Sequence, residues 1–69
     1  MTVKELLKEK FEAECREGMI ITYNEGERSY TSDSRDEFAE QTYSERDVMS
    51  YQFYFGDDFE PNEMSIELK

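Results

Sequence analysis

Val48-Met49-Ser50-Tyr51-Gln52-Phe53-Tyr54-Phe55 belongs, with Gly56, to the longest run of this chain that contains no charged residue. Its side chains alternate. Met49, Tyr51, Phe53 and Phe55 fall on one side of an extended backbone, and Val48, Ser50, Gln52 and Tyr54 on the other. A period of two in aromatic and β-favouring residues predicts a strand. Residues 63–69 repeat the pattern more cleanly, with Met64, Ile66 and Leu68 alternating against Glu63, Ser65, Glu67 and Lys69. That is a strand with one buried and one wet face. Residues 56–62, with Gly56 and Pro61, read as the loop between them. Because the last strand is short and charged on one side, it suits the edge of a sheet, where charge discourages unwanted pairing.

Further upstream, Met19-Ile20-Ile21-Thr22-Tyr23 is β-branched and bounded by turn residues, so it predicts another strand. Residues 24–27 make a turn in which Gly26 takes positive φ, and residues 28–31 return as a short strand. Ser34 and Glu37 have capping-box spacing, which predicts one or two helical turns with Phe38 and Ala39 as the residues to bury. The N-terminus predicts a longer helix. Thr2 and Glu5 form a capping box; Val3, Leu7, Phe11 and Cys15 recur every four residues with Leu6 beside them; and Gly18 suits the left-handed residue that ends a helix. Glu5–Lys8 and Glu12–Arg16 are favourable surface pairs on it. The expected class is α+β, a single domain in the order α-β-β-(short α)-β-β. Its N-terminal helix packs on a small antiparallel sheet of about four strands.

Sixty-nine residues give a small domain, and such a chain buries only about 60% of its unfolded surface. Its hydrophobic content is 36%, concentrated in five Phe and five Tyr. Large rings bury much area at modest rotamer cost, so a few of them build a core. The periodic apolar segments and the abundance of aromatics argue against disorder. Eighteen acids against eight bases leave a net charge of −10, with no His. Such a chain is repelled by nucleic acid and by anionic membranes, and its electrostatic partner is a basic surface. A purely solubilising role is the plainer reading of the same charge. The single cysteine, no apolar leader and no span-length apolar stretch predict a cytoplasmic protein.

The side chains predict binding rather than catalysis. No His stands ready as a base for a Ser or Cys nucleophile, and Cys15 lies on the helix stripe. The three glycines are isolated, so no phosphate-cradling loop is present. In the loop 57–63, Asp58, Glu60 and Asn62 sit like the first ligands of a calcium loop, but Glu63 and Lys69 stand where Gly and Glu are needed. No metal and no cofactor is expected. The acids cluster instead at turns and element ends: Glu25 and Glu27; Asp33, Asp36, Glu37 and Glu40; Glu45 and Asp47; and Asp57, Asp58, Glu60 and Glu63. Same-face residues of a strand lie about 6.6 Å apart, close to the phosphate spacing along a nucleic-acid strand. Ordered carboxylates at that pitch suit a groove built for phosphates. The candidate partner-binding set is Asp33, Asp36, Glu37, Glu40, Asp57, Asp58, Glu60 and Glu63, with Tyr54 as an aromatic contact. Tyrosines are enriched at interfaces, and Val48 and Tyr54, if they share an open face with residues of the first hairpin, make an apolar patch that docks a partner or a second subunit; the plainer and preferred reading is that most of these rings complete the small core.

The opening Met1-Thr2-Val3-Lys4-Glu5-Leu6-Leu7, followed by two short hairpins, resembles small acidic proteins of phages and mobile elements in Gram-positive bacteria. In size and charge the chain also resembles anti-CRISPR proteins and other DNA-mimic inhibitors, which share no motif, so no functional residue carries over. The resemblance implies a non-enzymatic inhibitor that occupies the basic surface of a nucleic-acid-handling protein. A self-assembling module, a homodimer joined through a strand edge or aromatic face, is the competing expectation.

Overall fold

The computed structural model describes residues 1–11 and 16–69. The expectations placed on Glu12 and Cys15 lie outside the described residues. Thr2 caps the first helix, α1 (Val3–Lys10): its hydroxyl accepts from the Glu5 amide at 3.2 Å while the Glu5 carboxylate accepts from the Thr2 amide at 3.1 Å. Both members of the capping box are present. The helix is shorter than the apolar stripe suggests. It stops at Lys10 because Phe11 is extended, with φ −133° and ψ 130°. From there the Phe11 ring packs on Phe53, with centroids 4.9 Å apart. Gly18 does adopt the expected positive φ, 74°.

Strands β1 (Ile20–Glu25) and β2 (Arg28–Asp33) form a hairpin closed by two residues. Only the first of these, Gly26, has positive φ (62°), the pattern of a type II′ turn, which matches the natural twist of the strands. A second helix, α2 (Glu37–Tyr43), follows. Its cap is Asp36, and Ser34 plays no part in it: the Asp36 carboxylate accepts from the amides of Phe38 and Ala39. Ser34 instead donates its hydroxyl to the Arg16 carbonyl, tying this turn to the entrance of β1. The residues α2 buries are Ala39 and Tyr43, four apart, whereas Phe38 is 58% exposed. Strands β3 (Val48–Tyr54) and β4 (Glu63–Leu68) complete the α-β-β-α-β-β order.

The sheet order is β2-β1-β4-β3. Both hairpin pairings are antiparallel, as expected, but the central β1–β4 pairing is parallel, so the sheet is mixed. The last strand is therefore not an edge. It is half polar because only one face of the sheet is covered, and its apolar Met64, Ile66 and Leu68 belong to the buried face. The connection through α2 carries the chain from β2 at one edge to β3 at the other and lays the helix over the sheet. Leu6, Met19, Ile21, Met64, Ile66 and Val3 are the largest fully buried side chains. Tyr23 stacks on Tyr43 with centroids 4.4 Å apart and planes inclined by 10°, joining β1 to α2.

A bulge changes the face assignment of β3. Val48 lies opposite Leu68 and Ser50 lies opposite Glu67, so Met49 is the extra residue. One extra residue reverses the alternation. Val48 thus joins Tyr51 and Phe53 on the covered side and packs against the core, instead of sharing an open face with Tyr54.

Two substitutions and a control test this packing. Ile66→Ala leaves a cavity between β1, β3 and the helices and should lower unfolding free energy by about 2–5 kcal/mol in urea denaturation. Gly56→Ala places a Cβ against the backbone of Glu60 and Pro61 and should also destabilise. Tyr54→Ser, on the exposed face, should change stability by no more than about 0.5 kcal/mol.

Candidate partner-binding face

Strand registers define the face that no helix covers. Across the sheet it consists of three rows of four side chains: Asp33, Ile20, Glu63 and Tyr54; then Thr31, Thr22, Ser65 and Gln52; then Ser29, Asn24, Glu67 and Ser50. These side chains bond to one another. Thr22 and Thr31 hydroxyls are 2.9 Å apart, Asn24 Nδ2 donates to Ser65 Oγ at 3.0 Å, and Ser29 Oγ donates to Asn24 Oδ1 at 2.7 Å. Apart from Ile20 and Tyr54 the result is a polar surface, and its three rows hold three carboxylates and no base.

Seven of the eight bases lie off these rows, and Lys69 follows Glu67 at the edge of the face. Lys4, Lys8 and Lys10 are on α1; Arg28 and Arg46 sit near Glu25; and Lys69 ends the chain. Lys4, Lys8, Arg16 and Arg35 line a groove between the two helices, with Tyr23 on its wall and Glu17, Asp36 and Glu40 as local counter-charges. The Arg46 guanidinium bonds Glu25 at 2.8 Å and holds that carboxyl below the usual glutamate range. Positive charge thus lies mainly in the helical layer and at the far end of the sheet, with Arg35 and Arg16 beside the turn that follows β2.

Topology also gathers the acids selected from the sequence. The end of β2, the starts of β1 and β4 and the end of β3 coincide at one end of the sheet. Asp33, Asp36, Glu37, Asp57, Asp58, Glu60, Glu63 and Tyr54 therefore share that end, although residues 38–53 separate the two groups in sequence. Glu40 is one turn further along α2 and, like Asp36, lines the helical groove. Asp33 and Glu63 flank Ile20, about 10 Å from each other by strand spacing. A regular row at phosphate pitch is not formed along β4, since Ser65 stands between Glu63 and Glu67. Glu67 and the hydroxyl-rich rows were not singled out from the sequence. Their signal is the run of small polar residues at alternate positions in three strands.

Two of these acids have structural duties. Asp36 accepts from the Tyr30 hydroxyl at 2.7 Å as well as from the two helix amides, and these bonds lower its pKa. The Tyr30 hydroxyl is correspondingly harder to ionise. Asp57 Oδ1 accepts from the amides of Phe59 and Glu60, both at 2.8 Å, which shape the loop and lower its pKa. Burial between β1 and α2 pushes the Tyr23 hydroxyl up to about 12. Asn62 Oδ1 accepts from the Gly56 amide, closing the same loop. Among the described residues no three His, Cys, Asp or Glu side chains converge as metal ligands, and no helix is long and apolar enough to cross a membrane. Comparison with protein-family models, with curated proteins and with solved structures finds no match to this chain.

The lowered carboxyl pKa values have a definite sign. Asp36 and Asp57 are ionised more readily in the folded than in the unfolded chain, so each contributes stability above its unfolded pKa near 3.8. That contribution disappears as pH falls from there through the lower folded value. Urea midpoints measured from neutral pH downward should fall in this window. Asp36→Asn, which keeps a cap but cannot ionise, should be less stable than the parent at neutral pH and converge on it in acid.

Proposed function

We propose that this is a non-enzymatic acidic binding domain that occupies a basic surface of a partner protein. The observation that carries the reading is the sorting of charge: three rows of the open sheet face without a base, continuous with an end that gathers the carboxylates of residues 33–37 and 57–63 against the single base Arg35. Solubility alone requires acidic surface but no such separation of signs. A partner's Lys and Arg residues meet the carboxylates of Asp33, Glu63 and Glu67 here, with no competing cation in the three rows. Basic surfaces of this kind are built for phosphates, so the sharpest form of the reading is an inhibitor of a nucleic-acid-handling protein, of the anti-CRISPR kind. The irregular carboxylate spacing favours complementarity to one protein surface over a literal copy of a phosphate row.

The test is affinity capture on the tagged domain from nuclease-treated bacterial lysate, followed by a salt wash. A basic nucleic-acid-handling protein should be retained at low salt and released by about 0.5 M salt, where the screening length is only a few Å. The triple change Asp58→Asn, Glu60→Gln and Glu63→Gln should abolish capture while leaving the circular dichroism spectrum intact; it spares Asp57, which shapes the loop. Retention of the same partner by the triple variant in high salt contradicts the reading.

A further inference from the structure

Among the described residues, one side of β3 is left without a neighbouring strand. β3 has a neighbour on one side only, and residues 48–56 carry no charge to discourage pairing. The hydrogen-bond register shows which groups are free. Ile20 donates its amide to the Asn62 carbonyl at 2.9 Å, so the backbone groups of Met64, Ile66 and Leu68 also turn to β1 by alternation. Those of Glu63, Ser65 and Glu67 then turn to β3, where their partners are Tyr54, Gln52 and Ser50. The remaining residues, Tyr51 and Phe53, aim their N–H and C=O away from the sheet. At the start of the strand this outer side is already in use: Val48 donates to the Met1 carbonyl at 2.8 Å. Beyond the bulge no described residue pairs with it.

An aromatic group lies beside the open stretch. Phe11 meets Tyr51 edge-on at 6.2 Å and Phe53 at 4.9 Å, and Phe55, 83% exposed, meets Phe53 edge-on at 4.8 Å. Carboxylates stand at both ends, with Glu45 and Asp47 before the strand and Asp57, Asp58 and Glu60 after it.

We propose that the β3 edge adds an extended segment of a partner protein as a fifth strand, the segment carrying alternating β-branched residues at its centre and Lys or Arg at both ends. Backbone pairing to Tyr51 and Phe53 supplies the binding, the rings of Phe11 and Phe55 cover the central side chains, and the flanking carboxylates select the basic ends. A second copy of this chain fits less well. Pairing about a two-fold axis at Gln52 brings Asp47 of each copy towards Asp57 of the other, and Met1 holds the place at Val48 that the incoming chain needs. The proposal rests on the acidic-binding reading for its basic flanks but not for its strand pairing.

The probe is the peptide acetyl-Arg-Lys-Thr-Val-Thr-Ile-Thr-Lys-Arg-amide, titrated into the labelled domain and followed by amide NMR spectra. A second peptide has the same basic ends but Pro in place of the two central threonine-flanked aliphatic residues. The first peptide should slow solvent exchange of the Tyr51 and Phe53 amides and should bind at least about tenfold more tightly than the second. Tyr51→Pro deletes an outward N–H without deleting a bond to β4 and should lose that binding, whereas Tyr51→Ala, which retains the N–H, should keep most of it. If Tyr51→Pro fails to fold, the exchange rates in the parent decide. Equal binding of both peptides overturns strand addition and leaves the acidic reading intact. Unchanged binding by Asp58→Asn/Glu60→Gln overturns the selection of basic flanks and counts against the acidic reading, with strand pairing retained. No binding of the first peptide at about 1 mM, or concentration-dependent dimerisation that the Tyr51→Pro change removes, overturns the proposal.

Discussion

The parallel pairing of β1 with β4 is the constraint on which the rest of the molecule depends. It joins two local hairpins that would each be marginal alone, and it does so through the strands with the most apolar buried faces. Ile21 and Tyr23 on one side, and Met64 and Ile66 on the other, stand in register at the sheet's centre. Helices α1 and α2 then have one continuous surface to cover. The polar β2 and the aromatic β3 are left as edges. Without this pairing neither the open polar face nor the acidic end exists, because both are assembled from rows that cross the central seam.

The local elements were largely legible in the sequence. Thr2 and Glu5 announce the start of α1, period-two alternation marks β4, and Gly26 marks the hairpin turn. The fold class follows from that order. Three features were not legible, and each has a physical reason. The parallel seam is a long-range choice that alternation along single strands does not encode. The bulge at Met49 reverses which side chains of β3 meet the core, and nothing in the residue pattern announces an unpaired residue. The Ser34–Glu37 spacing mimics a capping box, but Asp36, already anchored by Tyr30, is the stronger acceptor for the free helix amides.

The candidate site was legible as a set of residues but not as a surface. The acids around residues 33–37 and 57–63 stand out as clusters, and strand order brings them to one end. Their spacing does not follow the strand period that suggested a phosphate-like row. The scarcity of bases on the open face is invisible in a linear chain, since Arg28 and Arg46 are close in sequence to that face and turn away from it through register and ion pairing, which leaves Lys69 alone to follow Glu67 at its end. Asp36 and Asp57 show why composition overstates a binding surface: each spends its carboxylate partly on backbone amides of its own turn. The uncharged β3 edge is a separate feature, and its exposure follows from the crossover through α2 that places it outermost.

The most direct test of this charge sorting is paramagnetic relaxation of amide protons by a pair of small nitroxide probes, one cationic and one anionic. The ratio of the two effects reports the potential at each site. The cation should exceed the anion most strongly at the outward rows of the sheet and at residues 57–63, and least along α1 and the helical groove near Lys4, Lys8 and Arg35. A ratio that is uniform over both faces would contradict the account and leave the net charge of −10 as a property of the whole surface.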